Sequence, residues 1–420
     1  MRLDLFALTI AFTLVAPLVG DAAPSEAVIY SLGGASGIAP TAGVIADAKG
    51  NLYSTTLLGG NGSPGHGTVF EVSKGPSGWT GTVLYTFTGG KDGGVPVAGV
   101  VADASGALYG TTQMGGSTAY SQNGAGVVFK LTPPHSGQQA WTETVLAAFK
   151  GADGAFPNAG LTPDGAGGFY TTTYGGGHFG EGAVVHVTPP VQGATRWTVQ
   201  VLHSFANADG AEPLSNLFLD AHGVLYGTTP SGGPSGRGVV FSLTPTSKTR
   251  WHFQILYAFT GGPDGGNPFA GVVEDTAGNL YGTTNTGGIT PCTSDESAGC
   301  GVIYELSPQS NGTWLETVLF AFQATGTGAE PEQGTLTFDA AGALYGSTIF
   351  GATSFPGNGV IYKLARSGAG WKETVLYEFQ GQPDGSGPED SPLLMRGGTL
   401  FGTTVAGGSS DNGTVFELKP

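Results

Sequence analysis

The chain has 420 residues, among them 76 Gly and 26 Pro, with 11% charged residues and a formal net charge of −16. That acidity opposes a phosphate backbone and an anionic lipid surface, so nucleic acid and a membrane surface are excluded as expected partners. A charged fraction this far below the ~25% of ordinary domains would fit a disordered chain, were the apolar residues not placed periodically.

In chain order, residues 1–23 come first. One early Arg is followed by an apolar run from Leu5 to Val19 and then by small residues, which reads as a secretory signal peptide cut near Ala22 or Ala23. A retained anchor is the competing reading; the run is short for a membrane span and Pro17 interrupts it. The segment holds no Cys for acylation, and no second hydrophobic stretch follows. The mature chain, 24–420, is therefore expected to be one soluble domain, secreted or periplasmic and monomeric.

From residue 28 onward one unit recurs. An aromatic slot holds Tyr53, Tyr109, Tyr170, Tyr226, Tyr281, Tyr345 and Phe401, at intervals of 56, 61, 56, 55, 64 and 56. Unequal spacing belongs in loops. The second copy shows the four β-like runs of each unit: AGVVAD (98–103), ALYGTT (107–112), GVVFKL (126–131) and WTETVLAAF (141–149). They are of strand length, rich in Val, Thr and aromatics, and separated by Gly, Pro, Asp or Ser. The fourth run carries every Trp of the chain, Trp79, Trp141, Trp197, Trp251, Trp314 and Trp371, in one slot. By simple alternation Trp79, Val83, Tyr85 and Phe87 project from one face, and the Trp rings are expected to fill space between neighbouring sheets.

Four-stranded units repeated seven times predict an all-β fold, a seven-bladed β-propeller. The ends agree with a closed ring. The last copy stops after its third run, GTVFELKP (413–420), and the missing fourth run appears at the start, where 27–44 matches 82–100. A strand from Val28 to Leu32 is thus expected to complete the last blade; an open solenoid would leave both partial ends uncapped.

LYGTT followed by GG, then GTVFEL or GVVFKLTP, resembles the GloVer tandem repeat of secreted and surface-anchored bacterial proteins. The resemblance covers residues 28–420 and implies a structural unit without a set activity. Copies depart locally: Ser54 and Thr171 replace the Gly after Tyr, and MRGG (395–398) stands where other copies have Asp and Gly.

Two sets of repeated Asp fall on opposite rims. Asp47, Asp103, Asp164, Asp220, Asp275 and Asp339 occupy turns between the first and second runs, where Asp and Gly close tight turns. Asp92, Asp153, Asp209, Asp264 and Asp384 lie in or near DGxxP between units. Turn formation explains these as well; no cofactor is called for, and Ca²⁺ is the sharper alternative at the second set. Cys292 and Cys300 share one loop and are expected to form a disulfide.

The loops after the second run vary most. Their first positions are Leu57, Gln113, Tyr174, Pro230, Asn285, Ile349 and Val405, and the loops add Tyr120, His178, Phe179, Glu181, Arg237, Asp295 and Glu296. A constant scaffold with variable loops on one face is how repeat folds host sites. Gln113, Tyr120, Tyr174, His178, Phe179, Arg237 and Asn285 are accordingly the candidate ligand contacts, for a glycan or an extracellular protein. A secreted hydrolase or lyase using His178 and Glu181 as acid and base is the catalytic alternative, because GGGHFGEG (175–182) combines both groups. A structural envelope protein is the third reading. The seven His show no metal spacing and no GxSxG elbow occurs.

Overall fold

The computed structural model describes residues 23–420 except 61, 63, 136–139, 192, 248, 289–291, 293–298, 354–355 and 389–391. Residues 1–22 of the expected signal segment, Asp295 and Glu296 lie outside the described residues. Seven four-stranded antiparallel sheets form the seven blades. Blade 2 is typical, with strands Val101–Ala102, Leu108–Thr112, Val127–Thr132 and Thr142–Ala148 from the axis outward. The innermost strand is far shorter than its apolar run, because its upstream half serves as wall around the axis.

Blade 7 closes the ring as expected. Leu394–Arg396, Thr399–Thr404 and Thr414–Lys419 are joined by Ser25–Ser31, with Ala27 opposite Glu417 and Tyr30 opposite Val415. The chain start thereby pairs a sheet edge that would otherwise be open.

One expectation needs correcting. Every fourth strand carries a β-bulge, at Leu84, Leu146, Leu202, Leu256, Leu319, Leu376 and Ile29. An extra residue reverses side-chain parity beyond it. Trp79 and Val83 therefore face the preceding blade, whereas Tyr85 and Phe87 face the following one. The contacts agree: Trp79 meets Phe401 of blade 7 at 6.4 Å, and Phe87 meets Phe129 of blade 2 at 5.1 Å.

The Trp rings are half-buried; Trp251, Trp314 and Trp371 lie edge-on to Tyr170, Tyr226 and Tyr281 of the preceding blade, whereas Trp197 stacks on Phe169 of its own blade. The deepest filling comes instead from Phe87, Phe149, Phe205, Phe259, Phe322 and Phe379, all nearly inaccessible. All but Phe149, which packs with Val185, meet third-strand rings edge to face, for example Phe259–Tyr304 at 5.1 Å and Phe379–Phe416 at 5.2 Å, the arrangement aromatic quadrupoles favour.

The Thr-Thr pairs stitch the ring. The first of each pair donates to an inner-strand carbonyl of the next blade: Thr55 to Ala98, Thr111 to Ala159, Thr172 to Ser215, Thr228 to Ala270 and Thr403 to Ala42. Thr283 and Ser347 break the series, and their buried hydroxyls have no partner. The cause is one inserted residue in the blade each faces. Pro331 and Pro388 stand six residues before the first strand, at Thr337 and Leu394, where Pro40 stands five before Ile45. The second Thr of each pair pins its own loop by bonding the carbonyl two residues on, as Thr112 does to Met114.

Candidate functional site on the upper rim

The lower rim holds the first Asp set, and its geometry is that of turns. Asp103 Oδ1 accepts from Ser105 N and Ala107 N, while Oδ2 accepts from Tyr109 Oη at 2.9 Å. Asp339 repeats this with Ala341, Ala343 and Tyr345. Burial alone would raise these carboxyls, but the converging donors outweigh it and hold Asp47, Asp103, Asp164, Asp275 and Asp339 below the usual range.

On the upper rim the second Asp set is also committed to turns. Asp92 accepts from Tyr85 Oη and Thr88 N, Asp264 from Tyr257 Oη and Thr260 N, and Asp384 from Tyr377 Oη and Gln380 N. Asp209 takes His203 Nε2 and Ala206 N, and Asp153 takes Lys150 N. Among the described residues no three His, Cys, Asp or Glu converge as a metal shell.

Behind these turns lies a feature that sequence reasoning passed over. Glu26, Glu143, Glu316 and Glu373 share the position two after the Trp slot, and each has one buried carboxyl oxygen without a partner. Burial first pushes each up to about 7, and the neighbouring blade's Asp384, Asp92 or Asp264 adds to the rise at Glu26, Glu143 and Glu316. The signal was present as a charged residue on an apolar strand face, in the repeated WxETV.

The upper rim is organised around a second unanticipated ring. The residue before each repeated Pro has a left-handed backbone: Ala39, Val95, Phe156, Glu212, Asn267 and Glu330 at φ 53 to 59, with Gly387 in the seventh copy. Such a conformation costs about 1–3 kcal/mol in a non-glycine residue. It is held by paired backbone bonds: Val95 N donates to His66 O of the preceding blade, and Val95 O accepts from Gln113 N. The strained position thus sits against the variable loop position, and both present different side chains in each blade.

In blades 2 to 4 these side chains converge. Tyr120, 48% exposed, packs on Phe156 at 5.8 Å. Phe156 O accepts from Tyr174 N. Tyr174, 37% exposed, donates from Oη to Glu212 Oε1 at 3.0 Å, and Ser231 Oγ donates to Glu212 Oε2 at 3.3 Å. Burial, the bond to Glu212 and the charges of Glu212 and Glu181 all raise the Tyr174 phenol, so it remains a donor at neutral pH. Phe179 is 58% exposed, with the His178 ring edge-on at 4.6 Å.

The other candidates lie differently. His178 is anchored through its backbone N to Ser204 Oγ, and no hydrogen bond or ion pair joins it to Glu181. Gln113 Nε2 donates to Asn158 Oδ1 at 2.8 Å, toward the axis. Arg237 is exposed but lies over Gly261. Asn285 is 8% exposed, so it is a buried rim residue and not a surface contact, and its Nδ2 has no partner. Phe156, Glu212 and Asn267 were not anticipated; their common mark is the place before Pro in DGxxP.

A closed seven-bladed β-propeller with a regular lower rim and a differentiated upper rim is the class these features define. The chain belongs to the Gloeobacter/Verrucomicrobia repeat family, whose pattern matches residues 19–195, 117–291 and 290–420. No curated protein matches it. Among solved structures it is similar to a candidate 6-phosphogluconolactonase from Bacteroides uniformis, with 15% identity, TM-score 0.47 and coverage of 80% of this chain and 84% of that one. An ulvan lyase bound to a GlcA–Rha3S saccharide gives 11%, 0.41, 74% and 80%. The extracellular domain of a candidate one-component system from B. thetaiotaomicron gives 11%, 0.48, 92% and 40%. At these identities and scores none of them transfers an activity or a ligand to this chain.

Proposed function

We propose that this chain is an extracellular recognition propeller that holds a glycan on its upper rim across blades 2 to 4. One observation carries the reading. Of the five exposed large hydrophobic side chains among the described residues, three are aromatics on this rim, Tyr120, Tyr174 and Phe179. Clustered exposed aromatics mark interaction surfaces, and their faces suit the apolar C–H faces of sugar rings. Glu212, Ser231 and the Tyr174 hydroxyl supply acceptors and donors beside them for sugar hydroxyls. The Cys292–Cys300 disulfide supports an oxidising compartment, and the net charge of −16 favours neutral over polyanionic glycans.

The test is a glycan array followed by titration calorimetry on the hits. Tyr174→Ala and Phe179→Ala are each expected to weaken binding at least tenfold while leaving Tm within a few degrees. No hit above background, or hits indifferent to both substitutions, overturns the proposal.

A further inference from the structure

Around the propeller axis lies a half-open cavity of about 240 Å³. At roughly 30 Å³ per water it has room for about eight waters, below the roughly 300–1,000 Å³ of drug-sized clefts. Val44, Val97, Val101, Leu161, Leu214 and Leu393 line it with aliphatic groups, and Thr41, Asn158, Ser215, Asn216 and Gln333 add polar ones. No described lining residue carries a charge.

At one lining position the repeat is broken. Three residues after the inner Pro stand Gly43, Gly99, Gly160 and Gly271, because inner strands crowd the axis. A Cβ on Gly43 would lie 2.3 Å from Pro392 O, and one on Gly271 2.6 Å from Asn216 O. Blade 4 places Asn216 in this slot instead. Its Oδ1 accepts the Gly160 N–H at 2.6 Å. Since a backbone N–H can only donate, the carboxamide is oriented and Nδ2 is left without a protein partner among the described residues. Asn158 pairs with the Gln113 carboxamide at 2.8 Å, and its other amide atom has no protein partner among the described residues. Carboxamides set among aliphatic groups suit a single pyranose ring, which offers both hydroxyls and C–H faces.

From this arrangement we infer that the axial cavity is a binding site for one neutral sugar residue, the terminal unit of a glycan or a free monosaccharide. It rests on the glycan reading above for the choice of ligand class, and its residues are separate from the aromatic strip. An ionised sugar is disfavoured because a carboxylate would leave water for a cavity with no described cation.

The experiment is ligand-observed NMR with the methyl glycosides of glucose, galactose and mannose, and with glucuronate. At least one neutral glycoside is expected to bind with a millimolar Kd and glucuronate at least tenfold more weakly. Asn216→Gly and Asn158→Val install residues that other blades carry at these positions. Each is expected to weaken binding at least fivefold with the Tm little changed, and Tyr174→Ala is expected to leave it unaltered. Absence of binding by all three glycosides, equal binding of glucuronate, or binding unaffected by either Asn substitution overturns the inference. Polymer binding lost with Tyr174→Ala while all three glycosides fail also overturns it, yet keeps the rim reading. Glycoside binding that depends on Asn216, in a protein with no array hit, supports the cavity and sinks the rim.

Discussion

Raising the pH from 5.5 to 8.5 is expected to loosen the ring. Glu26, Glu143, Glu316 and Glu373 are lifted from 4.5 to about 7. The folded state therefore holds these protons more tightly than the unfolded chain does. Their stabilisation is fully present below 4.5 and is lost as pH rises through 7. A shift of 2.5 pKa units corresponds to about 3.4 kcal/mol per group in full burial, of which about 2 kcal/mol falls between pH 5.5 and 8.5. These side chains are partly solvated, so screening reduces the figure to about 1 kcal/mol each, or roughly 4 kcal/mol for the four. With an unfolding entropy of about 2 cal/mol/K per residue, that is a fall in Tm of about 5 °C. The turn carboxylates do not confuse the window, since Asp47, Asp103, Asp164, Asp275 and Asp339 are lowered and already ionised at pH 5.5. His203, lowered first by burial against the opposing pull of Asp209, acts in the other direction as a single group. Differential scanning calorimetry on the wild type and on the fourfold Glu→Gln variant provides the assay. The variant should show a much flatter Tm against pH. A wild-type Tm at pH 8.5 equal to or above that at pH 5.5, or an undiminished slope in the variant, refutes the reasoning.

Other outcomes follow from packing and stitching. Thr55→Val removes the bond to Ala98 O across a blade seam and should cost about 1–2 kcal/mol by chemical denaturation, whereas Thr283→Val, whose hydroxyl has no partner, should be neutral or stabilising. Gly110→Ala would place a Cβ 2.6 Å from Phe129 Cζ, and overpacking of this kind should lower stability by about 1–3 kcal/mol in the same measurement.

How much was legible follows from what repetition encodes. The seven-fold count, the four strands per blade and the closure of Ser25–Ser31 onto Thr414–Lys419 were readable, because periodic apolar residues and complementary partial ends are sequence features. The bulge at Leu84 and its six counterparts was not, since Leu is an ordinary strand residue and a parity reversal leaves no mark in composition. The left-handed ring was hidden for a related reason: Val95, Phe156 and Glu212 are not residues that announce positive φ, and tertiary backbone bonds hold them there. Of the rim candidates, Tyr120, Tyr174 and Phe179 were recognisable as exposed aromatics in variable loops, but Glu212 was reachable only by knowing that the position before Pro faces them. Asn285 looked like its neighbours in sequence and proved buried.

The rims have meaning only if the ring is closed, and closure has a direct measurement. Ala27 and Glu417 are cross-strand partners in blade 7, so Ala27→Cys with Glu417→Cys places two thiols about 4.5–5.5 Å apart at Cβ. Under mild oxidation, mass spectrometry of the unreduced digest should recover a peptide linking residue 27 to residue 417, and Tm should rise. Two thiols that stay free, or that pair with other cysteines instead, would contradict a ring closed by its first strand.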